Sequence, residues 1–135
     1  MAVHVFHIDE PDRMLPLIAR DARLVVWPGR GSQTANMNYV NLHPGEANVP
    51  HVHAGSEDTI YILDGQGTID DLTNGTELPF SKGDTIHVPV GVRHAVKADR
   101  GTPVRSCGGP APTDWAMMAL SEAYDADLLT RLQSR

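Results

Sequence analysis

Between about Arg23 and Cys107 short apolar runs alternate with clusters of Gly, Pro, Asn and Asp. That rhythm is too quick for helices and suits strands joined by tight turns. It predicts strands at Arg23–Trp27, Asn36–Leu42, Asn48–Val52, Thr59–Leu63, Gly67–Asp71, Thr85–Val88, Arg93–Lys97 and Val104–Cys107. Turn signals separate them: Pro28-Gly29, Pro44-Gly45, Gly65-Gln66-Gly67, Asn74-Gly75, Lys82-Gly83-Asp84 and Pro89-Val90-Gly91. Asn74-Gly75 has the residues of a two-residue hairpin turn, since both tolerate positive φ. Strands this close leave no room for helical crossovers, so the fold class is all-β: a sandwich, jelly roll or small barrel.

The ends follow a different period. Met14, Leu15 and Ile18 sit at helical spacing within Asp9–Ala19, with Pro16 limiting any helix there to a short one. Thr113-Asp114 before Trp115, Met117, Met118 and Leu120 has the form of a capped helix start, and Leu128, Leu129 and Leu132 mark a second short helix in Ser121–Arg135. The expected organisation is an N-terminal arm over 1–22, a β domain over 23–112 and a helical tail over 113–135. The Cys107-Gly108-Gly109-Pro110 run is expected to be a strand exit into a turn.

Composition narrows the function classes. The length, 135 residues, suits one domain with one core. Seventeen acidic against eleven basic residues give a formal charge of −6, with no Lys/Arg cluster, so neither nucleic acid nor an anionic membrane is an expected partner. Cys107 is the single cysteine, no eighteen-residue apolar run is present and no signal-peptide region is apparent. A cytoplasmic location is the expectation.

The seven histidines matter by position. In Gly45-Glu46-Ala47-Asn48-Val49-Pro50-His51-Val52-His53 two imidazoles stand two apart in an extended segment, which puts them on one side of the chain. One metal ion could accept both. Downstream, Gly83-Asp84-Thr85-Ile86-His87-Val88-Pro89-Val90-Gly91-Val92-Arg93-His94 supplies a strand, a Pro-x-Gly turn and a third histidine.

These two stretches resemble the motifs of the cupin superfamily. The first, G-x5-H-x-H-x3–4-E-x6-G, is matched by Gly45, His51, His53 and Gly65, and the second, G-x5-P-x-G-x2-H-x3-N, by Gly83, Pro89, Gly91 and His94. Ala98 stands where the family has Asn. The resemblance implies a single-domain cupin β-barrel (double-stranded β-helix, or jelly roll) with short C-terminal helices appended. It also implies a metal held by His51, His53, His94 and a carboxylate. Counting from His53 admits Glu57 or Asp58, whereas counting back from Gly65 admits only Asp58, which also shares a face with Ile60 and Ile62. Asp58 is therefore favoured, with Glu57 as the alternative and a site of three histidines alone as the third option.

Such a nitrogen and oxygen donor set suits one divalent transition metal, Fe, Mn, Ni, Co or Zn, rather than Ca or Mg, with Fe(II) first. The resemblance then implies a metal-dependent enzyme acting on a small-molecule substrate. An Fe(II) dioxygenase on a small polar metabolite leads. A non-redox isomerase, lyase or cyclase and a non-catalytic ligand-binding cupin are the alternatives. It further implies a homodimer, for which Val3–Ile8 could supply an exchanged strand. Asn36 and Asn38 share one face of their strand and would orient a polar substrate if that face points inward. His87 is a candidate hydrogen-bond partner for the metal ligands. His4 and His7 are expected at the surface.

Overall fold

A computed structural model describes residues 2–120 and 126–134. Among the described residues nine strands and two α-helices follow one another: β1 (Arg13–Met14), β2 (Ala22–Val26), β3 (Met37–Leu42), β4 (Glu57–Asp64), β5 (Gln66–Asp71), β6 (Thr76–Ser81), β7 (Thr85–Val88), β8 (His94–Ala98), β9 (Val104–Ala111), α1 (Trp115–Leu120) and α2 (Ala126–Gln133). They form an antiparallel sheet in the order β1-β2-β3-β9-β4-β7 and a smaller one in the order β6-β5-β8. Strand alternation sends Leu24, Leu42, Ile62 and Val104 of the large sheet, with Ile69, Phe80 and Val96 of the small one, into a shared core. The all-β expectation holds.

Both expected C-terminal helices are present over the described residues, while 121–125 and 135 of the stretch given to the second lie outside them. Asp114 Oδ1 accepts the Met117 N–H at 2.9 Å, capping α1, while Met118 and Leu129 join the core from α1 and α2.

Several local expectations need correcting. Asn48–Val52 is not a strand: Pro50 has no N–H to extend a ladder, and the segment meets the small sheet through the isolated bridges Ala47↔Lys97 and His51↔His94 and through Asn48 Oδ1, which accepts the Val96 N–H at 2.8 Å. Within Asp9–Ala19 there is no helix but strand β1 and a single turn, Ile18 N–H to the Leu15 carbonyl at 2.9 Å, that buries Leu15 and Ile18. The pattern missed β6, whose Pro79 argues against a strand; β6 lies at a sheet edge, where a missing donor is tolerated. The β5–β6 connection is not a two-residue turn, because Asp71 pairs with Thr76 and only Gly75 takes positive φ, at 70°.

The largest correction concerns β9, which runs through Cys107-Gly108-Gly109-Pro110 to Ala111 instead of turning out. Here the glycines serve close approach rather than a turn. A Cβ on Gly108 would lie 1.8 Å from the Thr59 carbonyl oxygen of β4, and its φ of 150° disfavours side chains as well. β9 is thus pressed between β3 and β4, and this pressing shapes the cleft described next.

Candidate metal centre

Two chain segments meet at a reciprocal pair of backbone hydrogen bonds, His51 N–H to the His94 carbonyl at 3.1 Å and His94 N–H to the His51 carbonyl at 3.0 Å. The pairing brings the two imidazoles to 4.4 Å between centroids, and His53, one alternation further on, lies 4.9 Å from His51 and 5.5 Å from His94. Asp58, at the start of β4, faces inward with Ile60 and Ile62. One ligating atom from each of His51, His53, Asp58 and His94 lies within 4.8 Å of all the others.

The hydrogen bonds of the three rings sort their nitrogens. His51 Nδ1 lies 2.6 Å from the Val49 carbonyl, His94 Nδ1 2.9 Å from the Val92 carbonyl and His53 Nδ1 2.7 Å from Asp114 Oδ2. Each acceptor fixes a proton on Nδ1 and leaves Nε2 for the centre of the cluster. His53 Nε2, His94 Nε2 and Asp58 Oδ1 are buried without a hydrogen-bond partner. Asp58 Oδ2 stands 3.3 Å from His53 Nε2 and 4.0 Å from His94 Nε2. Buried polar atoms left without a partner are costly, and here they point at one another. A divalent cation would satisfy all of them, so the donor set fits the metal that the motifs imply.

Charge within the cluster is divided. Burial lowers the His51 imidazolium to about 4, helped by its two histidine neighbours and opposed by the Val49 carbonyl, and burial likewise lowers His94. Burial acts against His53 too, but the hydrogen bond to Asp114 and the negative charges of Asp114 and Asp58 outweigh it and raise that ring to about 9. The same bond helps hold Asp114 below its ordinary range against the effect of its own burial.

Glu57 lies elsewhere. It faces outward from β4, where its Oε1 is 3.1 Å from His87 Nε2 in an exposed pair. That places His87 away from the cluster, so of the two faces open to it in the sequence it takes the outer one and does not support the ligands. His4 and His7 are exposed as expected. Asp114 is the residue that sequence reasoning missed: it was read only as a helix cap, and nothing local links it to His53, 61 positions away.

Beside the cluster opens a cleft of about 480 Å³ of space not filled by atoms, mouth included. Its walls are Ile18, Val40, Leu42, Ile60 and Val96, with Asn38, Ser106 and the Cys107-Gly108-Gly109 stretch of β9. Asn38 faces in and its Oδ1 is buried without a partner. Met37 and Tyr39 project to the other face, and Asn36 precedes the strand, its Oδ1 accepting the Thr113 hydroxyl at 3.0 Å. Burial pushes the Cys107 thiol up, keeping it protonated.

Comparison with known proteins places this arrangement. The family model of the cupin domain matches residues 38–106, which include all four clustered residues. The chain belongs to the cupin family. This cupin is 30% identical over 81 residues to an oxalate oxidase of Triticum aestivum, GF-3.8, covering 55% of this chain and 36% of that protein. It is 35% identical over 75 residues to germin-like protein 3-5 of Oryza sativa subsp. japonica, covering 50% and 33%. The chain spans about a third of the length of these curated relatives. Among solved structures it resembles the polyketide cyclase RemF of Streptomyces resistomycificus, with a TM-score of 0.67 and 22% identity over 83% of this chain and 80% of that one. A Cupin 2 conserved barrel domain protein of Salinispora arenicola matches with a TM-score of 0.63 and 18% identity, covering 100% and 98%. These structural likenesses establish the cupin β-barrel as the fold. Among the described residues no helix is long and apolar enough to cross a membrane.

Proposed function

We propose that this cupin is a divalent-metal enzyme that uses dioxygen on a compact polar metabolite bearing a carboxylate, with His51, His53, Asp58 and His94 as the metal ligands. The observation that carries it is the convergence of orphaned, buried Nε2 and carboxylate atoms at the edge of an apolar cleft. Similarity to an oxalate oxidase supports both the oxidative chemistry and the acidic substrate. When bound, a divalent metal supplies Lewis acidity and, for iron or manganese, one-electron chemistry; Fe(II) stands first.

The protein's own groups have separable parts. Asp58 adds the negative charge that offsets a dication. Ile18, Val40, Leu42, Ile60 and Val96 keep water from the reacting groups and strengthen every polar contact made among them. Asn38 presents an amide oxygen with no internal partner, suited to accepting a hydrogen bond from a polar group of the substrate. Cys107, protonated, takes no nucleophilic part.

Metal analysis of protein purified under metal-replete conditions tests the ligand set. About one equivalent is expected in the parent and in Glu57→Gln, and far less in Asp58→Asn and His94→Ala, while a parent with little metal would end the metalloenzyme reading. Turnover of small carboxylates is expected to stop under anaerobic conditions; turnover that continued would point to a Lewis-acid isomerase, lyase or cyclase instead. The exposure of Val3 and Val5 supports a homodimer built through Val3–Ile8, and sedimentation showing a monomer would remove it.

A further inference from the structure

We infer that Asp114 is a positioning residue that couples docking of the C-terminal helical segment to the metal centre. It rests on the metal-centre reading above and concerns how that centre is held. Two of the three rings are oriented locally, since His51 and His94 each bond a carbonyl two residues earlier in their own segment. His53 is different. Its Nδ1 is held at 2.7 Å by a carboxylate 61 positions away, at the start of a helix.

Both oxygens of that carboxylate are in use. Oδ2 accepts from His53 and Oδ1 accepts the Met117 N–H at 2.9 Å, while the Asp114 carbonyl accepts the Met118 N–H at 3.1 Å. Asp114 is 4% exposed and His53 2%, so both bonds lie out of contact with bulk solvent. α1 is anchored in turn by Met118, and α2, packed on α1, by Leu129. A displacement of the helical segment therefore moves the group that fixes the ring and tautomer of His53. By linkage the coupling is reciprocal: ligation at His53 tightens the start of α1, and loss of the carboxylate weakens ligation.

An N-cap alone would explain the Met117 bond, and two substitutions separate the roles. Asp114→Asn and Asp114→Ser both keep a competent cap. Neither reproduces the two-oxygen bridge. In Asp114→Asn with Oδ1 on Met117, the amide NH2 faces His53 Nδ1 and favours the tautomer that carries its proton on Nε2. Titration of the full chain with Co(II), followed by its visible absorption, is expected to show binding about 10- to 100-fold weaker in both variants.

Unchanged Co(II) affinity in the two variants would overturn the inference and leave a plain helix cap. Absence of Co(II) binding in the parent would instead overturn the metal-centre reading beneath it. In the unaltered chain, saturating Co(II) is expected to slow hydrogen exchange at the Met117 and Met118 amides. Unchanged exchange there would overturn the coupling even if neither variant folds.

Discussion

Three imidazoles of one cluster differ in charge because their Nδ1 acceptors differ. His51 and His94 bond neutral carbonyls and are kept neutral by burial, whereas His53 lies between two carboxylates and keeps its proton to about pH 9. In metal-free protein these opposite shifts set opposite slopes. His53, raised above its ordinary 6.5, contributes stability that is complete below 6.5 and lost as pH climbs through 9. His51, lowered to about 4, favours the folded state above 6.5 and loses that contribution as pH falls toward 4, and His94 acts in the same direction. Chelator-treated protein should thus be most stable near pH 6.5; urea midpoints measured from pH 5 to 9 would count against this if they rose steadily across the range. At this scale much was legible in the sequence. A two-residue period puts Asp58 on the face of Ile60 and Ile62, and that is where the structure finds it, with Glu57 outside. The tie between Asp114 and His53 was not legible, because only the completed fold brings the two together.

Strand β9 lies with β3 on one side, β4 on the other and the cleft beneath. Gly108→Ala would drive a methyl into the Thr59 carbonyl and force a side chain onto a φ of 150°. Backbone strain of that kind costs about 1–3 kcal/mol before any steric displacement, so the expected loss in urea unfolding is at least that range. A loss below about 0.5 kcal/mol, the usual size for a harmless surface change, would show that β9 can move aside. The sequence invited a turn at this point because Gly-Gly-Pro more often marks one. Glycine required for close packing of strands has the same local signature as glycine required for a turn, and only the neighbour distinguishes them. Pro79 in β6 misled in the converse way, since its tolerance depends on being at an edge, a property of the assembled sheet. Strands free of such punctuation, β3, β7 and β8 among them, were found within a residue or two of their ends.

Seen as a whole, the barrel builds part of its enclosure on strands that ligate nothing, although Ile60 of β4 and Val96 of β8 line the cleft beside the donors Asp58 and His94. Every candidate donor comes from the segment before β4, from β4 itself or from β8, while β3 and β9 contribute Asn38, Val40, Leu42 and Ser106 to Gly109 to the cleft and no donor. Val40→Phe should therefore fill part of the cleft, abolish turnover of any substrate that the parent accepts and leave the metal content near one equivalent. Loss of metal along with activity would show that wall and centre are not independent. The separation has a consequence beyond this chain. A lineage built on such a barrel can exchange one metabolite for another through substitutions in two strands while its chelating residues stay fixed, so descendants would keep the same histidines long after they ceased to share a reaction.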